Sequence, residues 1–155
     1  MIKLEEKIAV TKDMKVDKII ILGQKSCPAC RIIELVVRKI KKEQEYLNFG
    51  VYAVSIPDDA FNFLKYDIYI AGVKYVVETK NIRNLPQTHF IDGTTLLGKQ
   101  LGLPRIPDKL EYTQEICEYY MLNVLFDIYK IIKNKDYCDK IFDRMKEIKE
   151  LISDD

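Results

Sequence analysis

Cys27 and Cys30, two cysteines separated by two residues, are the side chains of this 155-residue chain that are best suited to covalent chemistry. A thiolate attacks disulfides, whereas a neutral thiol is a poor nucleophile. A second thiol close by displaces the mixed disulfide that forms. Pro28 suits the first position of a helix, where free N–H groups and the helix dipole favour a thiolate at Cys27. The motif CPAC therefore predicts a pair that exchanges disulfides.

The two cysteines are expected to differ in exposure, and the difference assigns their roles. Cys30 lies at helical spacing from Ile33 and from further apolar residues, so we expect it on the buried face of a helix. Cys27 lies at the tip of the preceding loop and is expected to be exposed. We therefore expect Cys27 to be the nucleophile and Cys30 the resolving cysteine, with the positive charges of Lys25 and Arg31 favouring the Cys27 thiolate.

The segments around the pair predict a βαβ unit. Residues 18–22 (KIIIL) form an apolar run typical of a buried strand. A helical pattern follows from residue 28 to about residue 46, and 51–56 (VYAVSI) is the second strand. A helix is then expected from Pro57, with one apolar face at Phe61, Leu64 and Ile68. Residues 69–84 fit a continued helix, an extra hairpin or a loop.

The second half of the chain predicts a strand pair and two helices. Residues 85–92 (LPQTHFID) indicate a strand, and Asp92-Gly93 indicates a turn into a returning strand over 94–97, with Gly98 breaking the pattern. Helices are expected over about 110–133 and 137–152, forming an antiparallel hairpin. The chain thus divides into a domain at 1–107 and a helical extension at 108–155. We expect the extension to pack on the domain, with a homodimer surface or a partner docking site as the alternatives.

Composition limits the classes of partner. A net charge of +1 gives no support to a nucleic-acid or membrane-surface role. Apolar runs are too short for a membrane span, and the N-terminus lacks the features of a signal peptide. We therefore expect a cytoplasmic protein, in which thiols are normally reduced and cysteines need a catalytic, metal-binding or packing reason.

Zinc binding is the competing explanation of the cysteine pair, and a closed zinc site needs four ligands. The other candidate ligands are Cys117, Cys138 and His89. Both cysteines lie among apolar residues at helical spacing and are expected in the core. His89 is expected to be a packed, hydrogen-bonded residue. We therefore predict no metal.

Two segments resemble a known family. IIILGQKSCPACRIIELVVRKI is similar to the first strand, active-site loop and first helix of glutaredoxins, and LPQTHFIDG resembles their cis-proline segment, with Pro86 at the cis-proline position. The resemblance covers about residues 17–103. It implies an α/β, thioredoxin-like fold with a mixed central sheet, to which the helical hairpin is an extension.

The resemblance also implies a disulfide oxidoreductase and its partners. Leu85, Pro86 and Lys25 would contact the substrate, a disulfide-containing protein or a glutathione-like thiol, with the backbone of Leu85 pairing with an extended peptide. No cofactor is implied. An external reductant, either glutathione or a reductase, would recycle the pair. The alternative function is a protein-binding adaptor that uses the helical extension.

Overall fold

A computed structural model describes residues 2–3, 14–57, 59, 65–78, 85–103 and 113–153. Within these residues, seven strands and three α-helices follow one another, with two of the helices at the C-terminal end. In order they are β1 (Ile2–Lys3), β2 (Lys18–Gly23), α1 (Pro28–Glu43), β3 (Gly50–Ser55), β4 (Lys65–Ile70), β5 (Val73–Glu78), β6 (Gln87–Asp92), β7 (Thr95–Leu101), α2 (Gln114–Ile132) and α3 (Lys135–Ser153). Among these residues, no helix is long and apolar enough to cross a membrane.

The central sheet has four strands in the order β3-β2-β6-β7. β2 runs parallel to β3, as the βαβ unit predicts, and antiparallel to β6. β6 and β7 form the predicted hairpin, whose turn contains Gly93 at φ 56°, a conformation that glycine adopts without steric cost. The predicted thioredoxin-like α/β fold class, with its mixed sheet and C-terminal helical hairpin, is confirmed.

A second sheet has the strand order β1-β5-β4, and its β4–β5 hairpin includes residues 69–78 of the segment for which the sequence leaves three alternatives. β4 and β5 form a hairpin whose turn, Ala71-Gly72, has positive φ at both residues. Of the three alternatives for residues 69–84, the hairpin is therefore correct for residues 69–78. The predicted helix through Ile68 is wrong there, because Ile68 and Ile70 are buried at the two-residue spacing of a strand. Phe61 and Leu64 lie outside the described residues.

Two hydrophobic clusters cover the two faces of the central sheet. One joins α1, α2 and α3 to one face of β2, β6 and β7. The other packs the second sheet against the opposite face, where Ile20 and Leu22 of β2 meet Ile68 and Tyr75. Leu85 packs at the border of this second cluster. A β-hairpin layer thus covers one side of the sheet, and helices cover the other.

β7 runs further than predicted. The expectation that Gly98 ends the strand is wrong, because β7 continues to Leu101. A side chain at residue 98 would approach the Ile128 side chain on α2 to 3.1 Å. The glycine therefore allows α2 to pack closely on the strand instead of ending it.

The helical hairpin has clear start and end signals. Thr113 caps α2 by accepting a hydrogen bond from the Ile116 N–H at 3.2 Å, and Lys133 ends it in the left-handed conformation at φ 65°. The predicted boundary at 107/108 lies outside the described residues. α2 and α3 pack on α1 as part of the same core.

Two groups of side chains join the hairpin to α1 and the turn after it. Glu118 of α2, only 1% exposed, receives two hydrogen bonds of 3.1 Å from Arg144 of α3 and lies 3.5 Å from Lys39 of α1. Beyond the end of α1, three tyrosine rings pack edge to face with centroids 5.0 and 5.1 Å apart. These rings belong to Tyr46, Tyr129 and Tyr137.

Candidate functional site

Cys27 and Cys30 form a disulfide at the start of α1, with their Cα atoms 5.3 Å apart. Cys27 is the N-cap residue, and its Sγ accepts a hydrogen bond from the Cys30 N–H at 3.1 Å. Pro28 occupies the first helical turn, as predicted. A helix N-terminus leaves backbone N–H groups without partners inside the helix. One of those groups is thus directed at the sulfur that the sequence predicts to be the nucleophile.

The two cysteine residues differ in exposure. Cys30 is 7% exposed and lies on the buried face of α1 with Ile33, Val37 and Ile40. Cys27 is half-buried rather than fully exposed, because its side chain turns back to cap the helix. Cys27 is therefore the more exposed of the two cysteines.

Gly23, the last residue of β2, is a member of the site that the sequence analysis missed. A Cβ atom at this position would lie 2.9 Å from the Cys30 Cβ and 3.0 Å from its Sγ. The backbone of β2 therefore passes directly against the resolving cysteine. The available signal was a glycine that ends the apolar strand four residues before Cys27.

A cleft of about 200 Å³ opens beside Cys30, toward the β3 side of the site. Gly23 and Ser55 line it together with the charged residues Lys25, Arg31 and Glu34. Glu34 forms an ion pair with Arg38 at 3.2 Å. Within the described part of the chain, no ion pair involves Lys25 or Arg31, and both are exposed. The surroundings of the cysteine pair therefore carry positive charge available to a ligand.

Strand register brings Pro86 to the same end of the sheet as the cysteines. Leu22 of β2 pairs with Gln87 of β6, so the same register extended by one residue sets Pro86 opposite Gly23. The Leu85–Pro86 peptide bond is cis. Pro86 is buried, its carbonyl accepts the Gly102 N–H at 2.7 Å, and Leu85 is half-buried. Pro86, one of the three predicted substrate-contacting residues, thus lies beside the end of the strand that leads into the CPAC motif.

The other sulfur and imidazole groups lie apart from this pair. Cys117 is fully buried, and burial raises the pKa of its thiol to about 11. Cys138 on α3 is half-buried, and desolvation raises its pKa as well. His89 is fully buried on β6, with its Nε2 atom 3.1 Å from the Gln87 side-chain oxygen, as expected for a packed, hydrogen-bonded residue. Among the described residues, no group of three or more histidine, cysteine or acidic side chains is arranged to hold a metal ion.

Among known proteins, the chain matches a solved structure. No protein-family model and no curated protein matches the chain. The chain is similar to a thioredoxin-fold protein from Helicobacter pylori. The TM-score is 0.43 at 13% sequence identity, over 96% of this chain and 95% of that chain. No activity follows from a similarity of this size.

Proposed function

We propose that the protein is a thiol–disulfide oxidoreductase that uses Cys27 and Cys30. The observation that carries the proposal is the pair itself: two cysteines in disulfide contact at a helix N-terminus, one capping the helix and the other 7% exposed. The backbone N–H that caps the helix through the Cys27 sulfur would bind a thiolate more strongly than a neutral thiol. This supports Cys27 as the attacking group.

The reaction proceeds in two exchanges. The Cys27 thiolate attacks one sulfur of the substrate disulfide, a mixed disulfide forms, and the other substrate sulfur leaves as a thiolate that takes a proton from water. Cys30 then loses its proton to solvent and attacks the Cys27 sulfur. The Cys27–Cys30 bond forms and the second substrate sulfur leaves. The substrate gains two electrons and the cysteine pair loses them.

Leu85, Pro86 and Lys25 are the proposed substrate-binding residues. An extended substrate would pair with the backbone of Leu85 beside Pro86, and Lys25 would bind a substrate carboxylate. This arrangement is the glutaredoxin-like form of the proposal. We propose a disulfide-containing protein or a glutathione-like thiol as the substrate, and glutathione or a reductase as the recycling reductant. The chain needs no cofactor for this reaction.

The first experiment measures insulin reduction with dithiothreitol as the recycling reductant. We expect the wild type to accelerate reduction and Cys27→Ser to abolish the acceleration. Cys138→Ser is the matched control, since it removes a half-buried thiol outside the site, and we expect it to retain full activity. A folded wild-type protein that gives no acceleration would refute general disulfide reduction and favour the adaptor function. A Cys27→Ser variant that keeps the acceleration would refute Cys27 as the attacking group.

A second experiment separates the roles of the two cysteines and identifies the reductant. Cys30→Ser should accumulate a mixed disulfide with the substrate, visible by mass spectrometry, because the resolving thiol is absent. Replacement of dithiothreitol by glutathione should support turnover if glutathione recycles the pair. A requirement for a dithiol reductant would favour a reductase.

A further inference from the structure

Gly23 differs from the other five glycines of the chain in the residue that an added side chain would contact. Gly72, Gly93 and Gly102 have positive φ, so the backbone conformation explains them. A Cβ at Gly50 or Gly98 would meet the side chain of Tyr52 or Ile128. A Cβ at Gly23 would instead meet Cys30, whose sulfur forms the disulfide bond with Cys27.

We propose that Gly23 is the positioning residue for Cys30, resting on the proposed function. Its missing side chain provides the space in which the Cys30 side chain lies when the disulfide is closed. Gly23 pairs with Ser55 of β3, which fixes its backbone in the sheet. Cys30 belongs to the first turn of α1, which β2 precedes by only four residues. Neither backbone is therefore free to withdraw from the other.

The effect of an added methyl group depends on the redox state. In both redox states an added methyl group at residue 23 meets the Cys30 Cβ, 2.9 Å away, and this contact costs the same in each. In the disulfide the methyl group also lies 3.0 Å from the Cys30 sulfur, which the bond to Cys27 holds in place, so the oxidised form carries a second close contact. In the dithiol, the Cys30 sulfur is released from Cys27 and rotates about its Cα–Cβ bond to another staggered position. A side chain at residue 23 therefore destabilises the oxidised form more than the reduced form. It also slows the exchange in which Cys30 attacks Cys27.

The test compares Gly23→Ala with Gly98→Ala. Gly98 is a matched control, because it also lies in the central sheet and its added Cβ would approach Ile128 to 3.1 Å, away from the cysteines. The equilibrium between the cysteine pair and dithiothreitol is measured for both variants. We expect Gly23→Ala to shift it about tenfold toward the dithiol, or ~30 mV for a two-electron couple. Gly98→Ala should stay within about twofold of the wild type.

Stability and kinetics give a second measurement that does not depend on turnover. Urea unfolding of Gly23→Ala should lose more stability in the oxidised than in the reduced protein, whereas Gly98→Ala should lose the same amount in both. In a Cys30→Ser background, Gly23→Ala should leave the reaction of Cys27 with an aromatic disulfide unchanged. With Cys30 present, release of the bound aromatic thiol should slow about tenfold.

Three results would overturn the proposal. They are an unchanged redox equilibrium in Gly23→Ala, equal shifts in the two glycine variants, and a Gly23→Ala protein that does not fold even when reduced, since glycine would then serve the fold alone. An inactive wild type would refute the proposed function, while the redox equilibrium and the two unfolding measurements would still decide the role of Gly23.

Discussion

At the scale of single residues, Cys117 shows how burial changes a thiol that takes no part in exchange. Its pKa is raised to about 11 from 9.0 by desolvation. The folded protein therefore holds this proton more tightly than the unfolded chain does. Stability from this group is fully present below pH 9 and is lost as the pH rises toward 11. We expect Cys117 to remove ~2 kcal/mol from the free energy of unfolding by pH 10.5.

The measurement is urea unfolding of the wild type and Cys117→Ala from pH 8 to pH 10.5. Lysines and tyrosines titrate in both proteins, so the difference between the two curves isolates the thiol. We expect Cys117→Ala to be less stable at pH 8, because of the cavity that it creates, and to lose less stability toward pH 10.5. Parallel curves would show that the Cys117 thiol does not contribute.

The sequence predicts the cysteines of the site but not the glycine beside them. Cys27, Pro28 and Cys30 are recognisable because the residue types and their spacing along a helix are local properties. The contact between Gly23 and Cys30 depends on how closely β2 passes α1. The four intervening loop residues do not determine that distance. A glycine at the end of a strand is also common in turns, so residue type alone does not mark it as part of the site.

At the scale of elements, the local pattern of apolar residues predicts most strands and helices correctly. It does not predict β4 and β5. Phe61, Leu64 and Ile68 follow helical spacing, whereas Tyr66, Ile68 and Ile70 follow strand spacing, so Ile68 fits both. The neighbouring strand β5 decides between helix and strand for this segment. β5 pairs with β4 along its whole length, and their apolar faces complete the second cluster. Such pairing adds hydrogen bonds that no short window of sequence reveals.

The buried Glu118 joins three helices, and its removal should be costly. Glu118→Ala would leave Arg144 and Lys39 without their shared carboxylate in a partly buried site. Arg144 keeps its ion pairs with Glu43 and Glu147, so the cost is that of the lost hydrogen bonds to a charged group, about 2 kcal/mol. We expect a loss of this size in urea unfolding. Glu150→Ala, at an exposed position on α3, is the control and should change stability by less than ~0.5 kcal/mol. Equal effects would mean that the pairs contribute little.

At the scale of the whole molecule, the helical hairpin is part of the main core. Ten of the 21 buried residues in the described part of that cluster come from α2 and α3. A chain that ends at residue 112 would expose the apolar faces of α1, β6 and β7. We therefore expect it to lose cooperative urea unfolding by circular dichroism, in contrast to the full-length chain. Cooperative unfolding of the shortened chain would establish the first domain as an independent unit.

The tyrosine cluster gives the molecule an optical property. The chain has ten tyrosines and no tryptophan, so its near-ultraviolet absorption is dominated by tyrosine. Tyr46 follows α1, Tyr129 belongs to α2 and Tyr137 to α3, and their rings are in edge-to-face contact. Fixed, neighbouring rings produce circular dichroism that mobile rings do not. The near-ultraviolet spectrum is thus a label-free reporter of whether the helical hairpin remains docked while the cysteine pair is oxidised and reduced.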